Sequence, residues 1–386
     1  MSPDAVVIGG GIVGCACAYY LAGAGLQVHL VEKGALASGT SKAGQSHIVL
    51  WELPEINLRL GKASRRLYEA LRDELPLDIE YRRTGSLALI DEPSAWPAFE
   101  KTVLSLRAGG LNCQLLTADD LRALEPHLAP DLVGGAAFPE DAQVNPILTT
   151  LALARAAQDR GVTVQPFTEV IGIRRSADGR VDGVITSRGR IATRAVVNAA
   201  GVWSGSIGRM VGVDIPVVPR RGHIVITEPV PENLINCKII LAAGYMQTLE
   251  SASGVAIAAN IQQTQSANLM LGSSREFVGF DWSVDAGVIR SMVERNIRFL
   301  PGLKGIHAIR TYAGLRPYSP DLVAIIGPVD AVPGFYVASG HEGAGITMGP
   351  ITGKLISQAI TGRATDLPLE LLSLSRFSRS GSPAVH

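Results

Sequence analysis

The chain has 386 residues, enough for two domains with an ample core, and its 35 Lys plus Arg match its 35 Asp plus Glu, so no basic field recruits nucleic acid. Cys15, Cys17, Cys113 and Cys237 show no metal-type cluster and read as reduced, mostly buried thiols of a cytoplasmic protein, with no metal expected. No cationic leader precedes the first apolar strand and no apolar run reaches the ~18 residues of a membrane span, so any contact with an inner membrane would come through a partner.

The first apolar run, Ala5 to Ile8, reads as a strand and meets Gly9-Gly10-Gly11-Ile12-Val13-Gly14. An Ala-rich helix to Leu26 follows, then a strand, Val28 to Val31, that ends on Glu32. Gly9 permits the tight turn, Gly11 lets a pyrophosphate approach bare backbone, and Gly14 lets the helix pack close to the strand. Glu32 can accept hydrogen bonds from a ribose diol while its charge disfavours a 2′-phosphate. Strand, glycine turn, helix, strand and acid together predict an adenine dinucleotide site.

Ser38 to His47 is a small-residue loop suited to backbone contact with a ligand. Leu58 to Leu75 has helical periodicity, Tyr81 to Ile90 alternates as a strand, and 94–110 reads as helix. Thr117 is the N-cap of a further helix, and Asn145-Pro146 opens another through Gln158. The runs 162–164, 170–173, 181–185 and 191–193 predict a strand meander. Ala195 to Gly201 is almost wholly apolar and predicts a strand buried in a parallel sheet.

From Val218 to Ile309 the alternation predicts most of a mixed sheet, with loops at 229–236 and 251–254 and a helix within 276–299. Phe335 to Ser339 reads as a buried strand, followed by a glycine-rich turn and a helix from near Pro350 to Ile360. The expected class is therefore α/β. A Rossmann-like dinucleotide domain is discontinuous (1–80, 145–215 and 320–370), and an α+β domain with a mixed sheet is inserted (81–144 and 216–319), leaving a tail at 371–386.

Four blocks in this order resemble the D-amino-acid oxidase superfamily of FAD enzymes, which includes glycine oxidase and sarcosine oxidase. They are Gly9 to Glu32, Asn198 to Ser204, Gly314 to Asp321, and Ser339 to Thr347. Among members, the chain resembles glycine oxidase and the catalytic β subunits of heteromeric hydroxyproline, proline and opine dehydrogenases; the run Gly340 to Thr347 suggests the second group. The resemblance implies that Gly9, Gly11 and Gly14, with Ile12, Val13, Glu32 and Lys33, hold the ADP half of FAD. It puts Thr40, Ser41, Ala43, Gly44 and Gln45 over the ribityl and flavin edge, Val170 at adenine, and Ala200, Gly201 and Trp203 beside the pyrophosphate. Gly343, Ala344, Gly345, Ile346 and Thr347 would turn backbone N–H groups toward the flavin and favour its anionic reduced form. Gly314 stands where sarcosine oxidases carry a flavin-linking cysteine, which implies non-covalent FAD.

On the substrate side the resemblance gives Arg316 the carboxylate, through the planar fork that pairs bidentately with it. Tyr245 would contact substrate, Arg275 would lie over the flavin, and His47, His341 and Glu342 would line the pocket. The implied reaction is oxidation of an amino or imino acid (hydroxyproline, proline or opine type) by hydride transfer from Cα to flavin N5. Electrons would pass to a partner subunit or other acceptor. The alternatives are a stand-alone glycine or D-amino acid oxidase that makes peroxide from O₂, and a flavin subunit that only relays electrons.

Overall fold

The Ala5–Ile8 run becomes an inner strand of a six-stranded sheet, flanked in parallel by Val28–Val31 and by Ala195–Asn198. A computed structural model describes residues 2–51, 53, 55–242 and 254–379. Outward from the centre the sheet adds Thr163–Gln165 on one side, then Phe335–Ser339 and antiparallel Ile325–Pro328 on the other. Alternate side chains feed different cores: Ala5 and Val7 join one apolar cluster, Val6 and Ile8 another. Burial on both faces explains the unbroken apolar sequence of these strands.

One face is covered by the helices Ile12–Gly23, Pro146–Asp159 and Gly345–Ile360, and the other by an antiparallel three-stranded sheet spanning Val170 to Ala192. Ile12–Gly23 is apolar all round because it is buried on most sides. A Cβ on Gly353 would stand 2.6 Å from the Ala16 carbonyl oxygen, so the first and last long helices touch backbone to backbone.

The second sheet has eight strands, in the order Ala308–Tyr318, Val218–Pro229, Asn268–Arg275, Ala256–Gln263, Ile239–Ala242, Ser86–Ile90, Gly134–Phe138, Gln114–Thr117. It is mixed, as the alternation predicted, with Ile239–Ala242 and Ser86–Ile90 running parallel. Helix Ala286–Phe299 packs one face through Met292 and Phe299. Trp51, Phe99 and Phe138 fill the other. Thr117 caps its helix reciprocally: its Oγ1 accepts from Asp120 N, and the Asp120 carboxylate accepts from Thr117 N at 2.8 Å.

Three expectations shift. Thr163–Gln165 is not part of a meander with 170–192 but the edge of the parallel sheet, registered on His29 to Val31. The strand expected from Tyr81 starts only at Ser86; Arg82 makes an isolated bridge to Gln143 instead. The last helix begins at Gly345, five residues before Pro350. Proline cannot donate to the carbonyl four residues back, which is why it suggested a helix start. Here that carbonyl, Ile346 O, accepts from the buried Tyr68 hydroxyl at 2.6 Å, so proline inside the helix leaves it satisfied. No helix among the described residues is long and apolar enough to cross a membrane.

Candidate active site

The carboxyl ends of the parallel strands open onto one cleft, the position at which open α/β sheets receive ligands. Gly9 follows the first strand with φ +116°, and a side chain there would press on the Ala199 carbonyl. A Cβ on Gly14 would stand 3.0 Å from the Gly9 carbonyl carbon and overlap its oxygen, so Gly14 lies behind the wall and permits the close helix. Gly11, Ile12 and Val13 line the cleft. Gly10, given no role from sequence, is needed by Glu32: its Cβ would fall 2.9 Å from Glu32 Cγ. The Glu32 carboxylate lies over it, accepting from Gly10 N at 2.6 Å and Gly34 N at 2.7 Å. Each oxygen keeps further acceptor capacity toward the cleft.

The turn Thr40–Ala43 is fastened from two sides. Thr40 Oγ1 donates to Leu315 O at 2.6 Å, and Ser41 Oγ accepts from Ile12 N at 3.0 Å, taking one of the open donors of the first helix. A side chain on Gly314 would meet Ala43, so the turn seats on bare strand. Gln45 lies over Gly272 and donates to Met270 O at 3.3 Å. Across the cleft, Asn198 pins the Ala200–Trp203 turn, its Nδ2 donating to Ser204 O at 2.9 Å. Lys33 Nζ sits 3.5 Å above the Trp203 ring. Thr40, Ser41, Ala43, Gly44, Gln45, Val170, Ala200, Gly201, Trp203 and Gly314 all line the cleft.

The third wall is the start of helix Gly345–Ile360. Because that helix begins before Pro350, Gly345, Ile346 and Thr347 form its first turn, whose amides have no acceptor within the helix. These three and Gly343 face the cleft, whereas Ala344 does not. His47 and His341 also line it. His341 Nε2 meets Thr352 Oγ1 at 2.9 Å, and burial pushes its ring down to about 4. Burial pushes His47 down to about 3, and its Nε2 is enclosed with no hydrogen-bond partner among the described residues. Both rings are neutral near pH 7.

At the far end three arginines gather on one carboxylate. Glu342, in the left-handed region at φ +47°, places Oε1 3.2 Å from Nε of Arg275, 3.7 Å from Nη1 of Arg220 and 3.9 Å from Nε of Arg316. Its other oxygen accepts from Gly343 N. Burial would raise the Glu342 carboxyl, but Arg275, Arg316 and Arg220 outweigh it and hold it below the usual carboxylate range. Arg316 and Glu342 reach the cleft. Arg275 does not line it: the side chain expected over the flavin is 1% exposed and bonded to Glu342 behind the wall. Arg220, fully buried, escaped the sequence reading, although two arginines side by side in a strand of the core were its signal. Tyr245 lies outside the described residues.

FAD fits the cradle on this chain's own geometry. Bare glycine backbone, an open helix start and a fixed acid occupy one end, and Gly201, at φ +56° with nothing near its missing side chain, leaves the opposite wall open. These features define a dinucleotide-binding α/β protein. The sequence pattern described as "DAO: FAD dependent oxidoreductase" matches residues 4–359, and the chain belongs to that family of FAD-dependent oxidoreductases.

It is 30% identical to the hydrogen cyanide synthase subunit HcnC of Pseudomonas aeruginosa, covering 97% of this chain and 96% of that one. It is 29% identical to glycine oxidase of Geobacillus kaustophilus, covering 97% of each. The solved L-proline dehydrogenase of P. horikoshii superposes with a TM-score of 0.89 at 28% identity over 98% of both chains.

Proposed function

We propose that this FAD-dependent enzyme oxidises the C–N bond of a small amino or imino acid of the hydroxyproline, proline or opine type, its carboxylate held by Arg316. The observation that carries this reading is the gathering of Arg220, Arg275 and Arg316 around Glu342 at the cleft wall. Glu342 is bonded to Arg275 and to Gly343 N, so its charge is committed inside the cluster, while Arg316 reaches the open side. The names of similar proteins support the substrate class: glycine oxidase, L-proline dehydrogenase and sarcosine dehydrogenase are among them.

In this reading 1–80, 145–215 and 320–370 hold FAD, and 81–144 with 216–319 face the substrate. When bound, FAD accepts the hydrogen and electron pair that leave the substrate Cα. The chain supplies the rest. Arg316 fixes the acid end, and the first-turn amides of helix Gly345–Ile360 favour negative charge beside them.

The two cleft histidines are held neutral down to about 4 and about 3, so neither titrates at working pH. This reading gives the pH dependence to the substrate ammonium, which must lose its proton before oxidation. Electrons leave to a partner subunit or other acceptor; a similar protein named as a synthase subunit supports this route.

Anaerobic flavin bleaching, screened over glycine, sarcosine, proline, hydroxyproline and opines, tests the assignment. The expected result is bleaching by at least one, with a rate that rises with pH. Bleaching by none, or a flat pH profile, counts against it. Repeating the assay in air decides the acceptor, since stoichiometric peroxide would replace the partner with O₂.

A further inference from the structure

In the antiparallel ladder between Val218–Pro229 and Ala308–Tyr318, Arg220 stands directly opposite Arg316, and two residues along Gly222 stands opposite Gly314. Residues two apart share a face, and here that face is the cleft side, where Gly222, Gly314 and Arg316 appear on the wall. Two arginines opposed in register repel. Glu342 relieves part of this, and the direction of Arg316 turns its guanidinium elsewhere. Its side chain leans along the sheet and lays the guanidinium over the bare Cα of Gly222, with Nη1 donating to Ser274 O at 2.9 Å.

A Cβ on Gly222 would stand 2.6 Å from both Cζ and Nη2 of Arg316, and nearer still to Nη1. The backbone does not call for glycine there, because Gly222 is not among the residues with positive φ. What calls for it is room for a guanidinium. The facing Gly314 is different: a side chain there would meet Ala43 of the turn that covers it.

We propose that Gly222 is a positioning residue whose missing side chain is the seat that aims Arg316 at the substrate carboxylate. The inference rests on the carboxylate role given to Arg316 above. Any side chain at 222 must evict the head group, toward Arg220 or out into the cleft, and an ångström of displacement in an anchoring group is enough to cost affinity.

The test titrates acetate into wild-type, Gly222→Ala, Arg316→Ala and doubly substituted holoenzymes, read as a shift in flavin absorbance, with thermal unfolding of each. Gly222→Ala should keep its FAD, weaken acetate about tenfold or more and raise KM alike, with kcat changed far less. It should lower Tm more while Arg316 is present than in the Arg316→Ala background, where the three atoms nearest the new Cβ are gone. Equal loss of Tm in both backgrounds, or wild-type acetate affinity in Gly222→Ala, overturns the proposal. Should Gly222→Ala alone not fold, a folded yellow double variant supports the conflict and an unfolded one sinks it. The carboxylate reading fails separately, if Arg316→Ala binds acetate as wild type does.

Discussion

At one end of the cleft the chain works with bare backbone, and at the other with long charged side chains. The end proposed for the ADP half of the cofactor is built around Gly9, Gly11 and Gly14, an open helix start and one acid, all within the first 32 residues. The opposite end brings Arg220, Arg275, Arg316 and Glu342 from four separate stretches onto one point. A backbone site is set by local turn geometry and shows as spacing. A side-chain site is set by strand register and is invisible until the sheet is assembled.

If that contrast is right, damage at the first end should remove the cofactor, and damage at the second should leave it in place. Gly14→Val is the harshest break, since any side chain there overlaps the Gly9 carbonyl. The expected product is colourless and poorly folded, and FAD absorbance of the purified protein checks it. Acid is the next probe. His341 ionises near 4 in the folded chain against 6.5 ordinarily, so the unfolded chain binds the extra proton between those values. Stability is therefore complete above about pH 6.5 and is lost as pH falls toward 4, by something like 3 kcal/mol for this group. Unfolding midpoints from pH 7 to 4 should fall more steeply in wild type than in His341→Asn.

Arg316→Lys keeps the charge and loses the fork. It should stay yellow, with KM for the best substrate raised about tenfold or more, as steady-state kinetics will read. Thr117→Ala is the mild control, far from both ends. Loss of its reciprocal cap should cost about 1 kcal/mol in thermal unfolding and leave FAD content and KM alone.

The legibility of the molecule divides along the same line. Ala5–Ile8, the glycine turn, Glu32, the Thr117 cap and the strand Ala195–Asn198 follow from local pattern, and the structure has them. Thr163–Gln165 was misplaced because a three-residue strand says nothing about which sheet it joins. Pro350 hid five residues of helix because its lost bond is replaced by Tyr68, nearly three hundred residues earlier. Arg220 went unread for the same kind of reason: its meaning lies in its register opposite Arg316. Arg316 itself was readable only through a family resemblance.

The strand order carries a consequence for how the protein is made. Ala195–Asn198 is clasped between Ala5–Ile8, made before it, and Phe335–Ser339, made long after it. The third wall of the cleft, Gly343 to Thr347, emerges later still. A nascent chain thus carries the glycine turn before the segments that enclose it exist, and the cleft can close only once residues 343–347 have been made.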